Sequence, residues 1–171
     1  MKQIKILIPV YNDWQSVFEL LKNINSEVSK LEVEFSVIIV NDGSTESRSE
    51  FLPDSSNLKS IQVINMKKNK GHARCIAVGL KYINEKEEFD YVIPMDGDGE
   101  DRPEELSLLI EKIKEYPDTA VTANRIKRSE GIMFKFCYLA HKYLTFVFTG
   151  QTIKYGNYTC LPKSIVNRMV N

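Results

Sequence analysis

The sequence predicts an α/β fold, a mostly parallel sheet with helices on both faces. Three observations predict it. Short, β-branched apolar runs alternate with segments of helical periodicity along most of the chain. Several of these runs are apolar at consecutive positions, the pattern of strands buried on both faces. Polar clusters follow the strands, at the edge where such sheets bind ligands.

Residues 2–10 read as the first strand, in which Ile4, Ile6 and Ile8 alternate and Leu7 and Val10 complete the apolar run. Pro9 marks the strand's exit, and Asn12 or Asp13 can cap the helix that follows. In that helix Val17, Leu20, Leu21, Ile24, Val28 and Leu31 keep helical spacing. Residues 35–40 form a second buried strand, ended by the turn-forming run Asn41-Asp42-Gly43-Ser44-Thr45. Residues 60–65 are a third strand. A helix over 71–83 carries Ile76, Leu80 and Ile83 on one face, and Ala73, Ala77 and Gly79 suit close packing. Residues 89–95 form a fourth strand that runs straight into Asp96-Gly97-Asp98-Gly99-Glu100-Asp101. Pro103 opens a helix with the stripe Leu106, Leu109, Ile110 and Ile113. Residues 120–123 are a fifth strand, and a last helix begins over 162–170. No repeat or long linker divides the chain, so one domain is expected.

Composition narrows the function class. Hydrophobic residues make up 43% and charged residues 27%, the balance of a soluble globular chain. The formal net charge of +0 carries no argument for nucleic acid, and nucleic-acid-binding modules are missing. The charge is unevenly spread, however. All 23 acidic residues lie at or before Glu130, whereas residues 131–171 hold five basic residues and no acid. That basic, aromatic-rich end suits an anionic membrane surface or an anionic acceptor. Its aromatic run from Phe134 to Phe148 suits a dimer face, a membrane face or plain core packing. Cys75, Cys137 and Cys160 are far apart and odd in number, which suggests neither a disulfide framework nor zinc and fits a reducing cytoplasm. No signal peptide or transmembrane run is read, so the expected location is cytoplasmic, with peripheral contact at the inner face of the membrane left open.

The chemistry concentrates in residues 95–101. Four carboxylates in six positions repel one another unless a cation or solvent screens them. Oxygen-only donors suit Mg²⁺ or Mn²⁺, and Mg²⁺ completes its shell with substrate phosphates. Read alone, the stretch is equally an acidic, solvated turn with Asp101 as a helix cap. An EF-hand does not fit its glycine placement. Asp42 can accept hydrogen bonds from a base N–H, or merely close a turn. Lys70, Arg74 and the helix start between them suit phosphate, or a solvated loop. His72 shows no partner in the sequence. Arg125 and Arg128 suit a diphosphate leaving group, or are a surface pair. No P-loop, dinucleotide fingerprint or nucleophile elbow occurs.

Taken in order, these segments resemble the family 2 glycosyltransferases. Pro9-Val10-Tyr11-Asn12-Asp13 is similar to their P-x-Y-N-[ED] motif, and Asn41-Asp42-Gly43-Ser44-Thr45 to their [DN]-D-G-S-T motif. Asn69-Lys70-Gly71 with Ala73 resembles N-x-G…A, and residues 96–104 resemble D-x-D-x-[QE]-x-x-P-E. Asn124-Arg125 with Arg128, and then residues 156–163, resemble the segments that follow. The likeness is nearest to the branch of dolichol-phosphate mannose synthases and bactoprenol-phosphate glucosyltransferases. It implies one GT-A, Rossmann-like catalytic domain over 1–171, with a nucleotide-sugar-binding half (1–101) and an acceptor-side half (102–171).

The resemblance implies a metal-dependent, inverting transfer of a sugar from a UDP- or GDP-sugar. Pro9, Tyr11, Asp13, Asp42, Lys70 and Asp96 would hold the donor. Asp98 and Glu100 would ligate Mg²⁺ or Mn²⁺, with Glu100 where glutamine is usual. Asp96, Asp98, Arg125 and Arg128 would form the catalytic set. Many relatives carry a late carboxylate as general base, but no Asp or Glu follows Glu130 here. Two explanations compete: a polyprenyl phosphate acceptor, already anionic, or a chain shortened at its C-terminus. A sugar nucleotidyltransferase and a non-catalytic nucleotide-sugar-binding domain are the alternative functions.

Overall fold

The computed structural model describes residues 1–48, 53–123 and 158–171. Among the described residues six strands form one sheet in the order β3-β2-β1-β4-β6-β5. They are β1 (Gln3–Val10), β2 (Glu34–Asn41), β3 (Ser60–Asn65), β4 (Tyr91–Pro94), β5 (Val121–Thr122) and β6 (Thr159–Pro162). β1 lies between β2 and β4 and is parallel to both, and β3 is parallel to β2. β6 runs antiparallel to β4 and β5. The sheet is therefore parallel through its first four strands and mixed beyond them.

Alternation along β1 assigns its side chains to two cores. Ile4, Ile6, Ile8 and Val10 join Val37 and Ile39 on one face. That face is covered by α1 (Trp14–Val28) and α3 (Leu106–Glu115), which bury Val17, Leu21, Ile24, Leu109 and Ile113 against it. Leu7 joins Ile38 and Val40 on the other face, beneath α2 (His72–Lys86) and α4 (Lys163–Val170), which bury Leu80, Ile83 and Val166. Gly79 is what lets α2 lie so close: a Cβ there would run into the Leu7 side chain.

Several boundaries differ from the sequence reading: the fourth strand, read as 89–95, is Tyr91–Pro94, and the second helix, read as 71–83, is His72–Lys86. Leu31 lies past the end of α1, in a turn whose N–H donates to Val28, and packs half-buried against the core. The helix expected at Pro103 starts as a 3₁₀ turn, Pro103–Glu105, before α3 begins. The fifth strand is only two residues long, because its partner β6 meets it only at Cys160 and Thr159. Among the described residues no helix is long and apolar enough to cross a membrane.

Candidate active site

Because β1, β2, β3 and β4 are parallel, the loops after them emerge at one edge of the sheet. The first two loops are clamped together by Asn12. Its Oδ1 accepts the backbone N–H groups of Thr45 at 2.8 Å and Glu46 at 3.1 Å, and its Nδ2 donates to Thr45 Oγ1 at 3.0 Å. The Asn12 N–H in turn donates to Ser44 Oγ at 3.0 Å. Asn12 takes a left-handed φ of 52° to do so, a conformation asparagine tolerates better than most residues. Of the two capping candidates, Asp13 is the one that caps α1, accepting the Ser16 N–H at 3.3 Å.

The third loop is held by Asp42. Its carboxylate, 3% exposed, accepts the N–H of Lys70 at 2.7 Å on Oδ1 and that of Gly71 at 2.8 Å on Oδ2. A buried anion thus binds two backbone donors at the start of α2. Gly43 makes this approach possible. Its φ is +69°, and a Cβ there would stand 2.8 Å from the backbone of Lys68 and Asn69.

The fourth loop carries the acidic run, and its four carboxylates do not stay together. Asp101 turns inward, is 2% exposed, and accepts the Asp96 N–H at 2.9 Å. It is neither a solvated residue nor a helix cap; Arg102 takes the N-cap position of the 3₁₀ turn. The reason lies past β4: the Met95 N–H still pairs with the Leu7 carbonyl, and the next N–H, that of Asp96, takes the Asp101 carboxylate as its acceptor. Asp98 Oδ1 accepts the Glu100 N–H at 2.9 Å, closing a tight turn around Gly99 at φ +78°. Asp98 and Glu100 are both left on the exposed side. Behind this loop, Tyr158 at the start of β6 donates its hydroxyl to the Arg102 carbonyl at 2.9 Å.

Between the loops lies an open cleft of about 460 Å³, lined by Pro9, Tyr11, Asp13, His72, Asp96 and Asp98 among others. Tyr11 is 48% exposed. His72, which had no partner in the sequence, places Nε2 3.3 Å from Asp96 Oδ1. The signal that could have found it is positional: it is the first helical residue after Gly71, at the same sheet edge as Asp96. Asp98 also borders a second cleft of about 370 Å³ with Ser16, Asn23 and Arg102.

Of the residues singled out in the sequence, Pro9, Tyr11, Asp13, Asp96 and Asp98 share the cleft. Asp42 lies beside it, beneath the loop it pins, and Lys70 is exposed on that loop. Arg125 and Arg128 lie outside the described residues, as does the aromatic run from Phe134 to Phe148. Among the described residues no three His, Cys, Asp or Glu side chains converge as a cation cage. Asp98 and Glu100 nevertheless offer two exposed oxygen donors on one turn, a set that suits a hard cation whose shell substrate phosphates complete.

Comparison with known proteins shows the family and the fold. A family model described as glycosyl transferase family 2 matches residues 5–167. An undecaprenyl-phosphate 4-deoxy-4-formamido-L-arabinose transferase of Klebsiella pneumoniae is 26% identical over 177 residues, which take in all of this chain and 52% of that protein. A protein of the same name from Erwinia tasmaniensis is 27% identical over 181 residues, again with 52% of its length covered. The chain therefore spans about half the length of the curated relatives it matches. Among solved structures, S. aureus TarS 1-349 in complex with UDP-GlcNAc superposes with a TM-score of 0.59 at 23% identity, over 77% of this chain and 37% of that one. Its complex with UDP gives a TM-score of 0.55 at 21% identity, over 77% and 38%. These two show a shared fold.

Proposed function

The chain belongs to glycosyl transferase family 2, and from that premise we propose that it moves a sugar from a nucleoside-diphosphate sugar to the phosphate of a polyprenyl phosphate. The observation that carries the donor half is the cleft at the ends of β1 and β4, which an exposed tyrosine and, at separate points, Asp13, Asp96 and Asp98 line. The family match favours sugar transfer over synthesis of the nucleotide sugar.

In this reading Tyr11 and Pro9 supply the apolar wall for the base, and Asp13 faces the nucleoside. Asp42 contributes through the turn it pins, since both its oxygens already accept backbone N–H groups. Lys70 stands beside the start of α2, where a cation and helix N–H groups favour phosphate. Asp98 and Glu100 would hold Mg²⁺ or Mn²⁺. Such an ion, when bound, neutralises charge on the leaving diphosphate. Arg125 and Arg128 take the same leaving group by resemblance to the family.

The acceptor half rests on chemistry and on the relatives. A hydroxyl acceptor needs a base to take its proton. A phosphate oxygen is already anionic and attacks the anomeric carbon without one, while the C1–O bond to the diphosphate breaks. The relatives' names specify undecaprenyl phosphate. The basic residues from Lys135 to Arg168 suit a phosphate-bearing lipid at a membrane surface, which supports a peripheral position there.

The test is thermal stabilisation by a panel of nucleoside diphosphates, with and without Mn²⁺, on wild type and Asp98→Ala. A ligand at 100 times its dissociation constant stabilises by roughly 2.7 kcal/mol. A Mn²⁺-dependent shift with UDP or GDP, lost in Asp98→Ala, is expected. No shift with any nucleotide would remove the donor site. Turnover on a soluble sugar hydroxyl, with none on polyprenyl phosphate, would remove the acceptor.

A further inference from the structure

We propose that His72 is a positioning residue of the donor cleft: its imidazole holds the Asp96 carboxylate in the orientation that meets the diphosphate of the nucleotide sugar. This rests on the donor-site reading above. The two side chains come from different loops and meet at 3.3 Å between Nε2 and Oδ1, and both line the cleft.

The place of His72 is itself determined by the fold. It is the first residue of α2, directly after Gly71, whose φ of +88° turns the chain into the helix. Asp42 grips the N–H groups of Lys70 and Gly71 just before it. Gly79 seats the same helix on Leu7 of β1. The imidazole therefore projects from a start that is anchored at two points.

Asp96 is held from the opposite side. Its backbone N–H is taken by Asp101, and its own carboxylate side chain is only 21% exposed against 48% for His72. A carboxylate beside a diphosphate repels it, and a hydrogen bond from an N–H donor to the carboxylate offsets part of that repulsion. With Oδ1 turned to the imidazole, the approaching diphosphate meets a paired carboxylate. Asp42 thereby links the loop after β2 to the acidic loop after β4, through the start of α2 and His72.

The experiment is a double-mutant cycle: His72→Phe and His72→Gln, each alone and with Asp96→Asn. UDP and GDP with Mn²⁺ are the probes, affinity is read by calorimetry, and urea unfolding checks the fold. His72→Phe is expected to weaken binding about tenfold, the scale of one hydrogen bond to a charged group. His72→Gln should recover most of it, because its amide N–H reaches the same oxygen. In the Asp96→Asn background His72→Phe should change affinity by less than about twofold. In the ligand-free protein, the imidazole ¹⁵N resonances of His72 should shift in Asp96→Asn. Wild-type affinity in His72→Phe, an equal loss in both backgrounds, or unshifted resonances would each overturn the inference alone. Wild type binding neither nucleotide would overturn the donor-site reading, and this inference with it.

Discussion

Asp101 accepts the backbone N–H of Asp96 at 2.9 Å, so one acid of the acidic run serves as the internal support for another. The contact turns a crowded sequence into a loop in which Asp101 is buried and Asp96 faces the cleft. Asp101→Ala leaves that N–H without its acceptor and should cost about 1–3 kcal/mol. The loss is read as a lower urea midpoint at unchanged slope. Asp101→Asn keeps an acceptor and should lose less. An Asp101→Ala protein as stable as wild type would mean that the loop stands without this contact.

The same loop shows where sequence reasoning reaches its limit. The strands and helices were legible because their apolar spacing matches the two cores: Ile4, Ile6 and Ile8 face α1, and Leu7 faces α2. The convergence of the polar clusters was legible too, since loops after parallel strands emerge at one edge. Which carboxylate turns inward was not, because Asp96, Asp98 and Asp101 differ only in which backbone N–H lies within reach. His72 escaped for the same reason: its partner is 24 positions away and is brought near only by the β1–β4 pairing. The two roles offered to Asp42, base acceptor or turn former, could be weighed only after Lys70 and Gly71 were seen above it.

Asn12 joins the loops after β1 and β2, and its removal should separate fold from binding. Asn12→Gly accepts the φ of 52° without strain but loses the side-chain bonds to Thr45 and Glu46. Asn12→Ala loses them and must also enter the left-handed region, at roughly 1–2 kcal/mol more. Asn12→Gly should therefore unfold later in urea than Asn12→Ala, while both bind nucleotide more weakly than wild type. Equal stability of the two variants would show that the backbone relaxes at this position.

Two glycines with similar φ should respond differently to a methyl group. Gly43 at +69° has the backbone of Lys68 and Asn69 2.8 Å from its ideal Cβ, whereas Gly99 at +78° has nothing within 4 Å. Gly99→Ala should cost only the left-handed strain, about 1–2 kcal/mol. Gly43→Ala adds a clash with backbone that cannot swing aside, and it pushes on the segment Asp42 holds. Its loss should be clearly larger, with nucleotide affinity falling alongside. A loss no greater than that of Gly99→Ala, in parallel urea titrations, would count against the close approach.

Lys5 and Glu87 form an ion pair at 2.8 Å between β1 and the end of α2, with side chains only 7% and 15% exposed. Burial alone pushes the Glu87 carboxyl up. Hydrogen bonds from Lys5 and Gln62 and the charges of Lys5 and Lys59 outweigh it, so the net shift is downward. A depressed carboxyl stabilises the fold fully above its unfolded value, about pH 4.3, and that contribution disappears as pH falls through the folded value. Wild type should therefore lose stability in acid more steeply than Glu87→Gln. At pH 7 Glu87→Gln leaves Lys5 buried without its anion and should be less stable by about 3 kcal/mol. Urea midpoints from pH 7 to pH 3 test both; parallel curves for the two proteins would sink the assignment.

Cys75 and Cys160 are both buried and free, and their thiols should be inert in the folded protein. Burial pushes Cys75 up to about 12, with the charge of Asp42 and a hydrogen bond to it adding to the effect. Burial alone pushes Cys160 up to about 12. At pH 8 the thiolate fraction is then roughly one in ten thousand, and the thiolate is the reactive form. Alkylation followed by peptide mapping should label neither residue in buffer and both in urea. Because burial is the larger cause at Cys75, Asp42→Asn should leave it protected as long as the protein stays folded. Rapid native labelling of Cys75 in wild type would mean that the start of α2 opens far more often than its anchorage to Asp42 and Leu7 allows. Labelling only in Asp42→Asn would instead identify that carboxylate as what keeps the start of the helix closed.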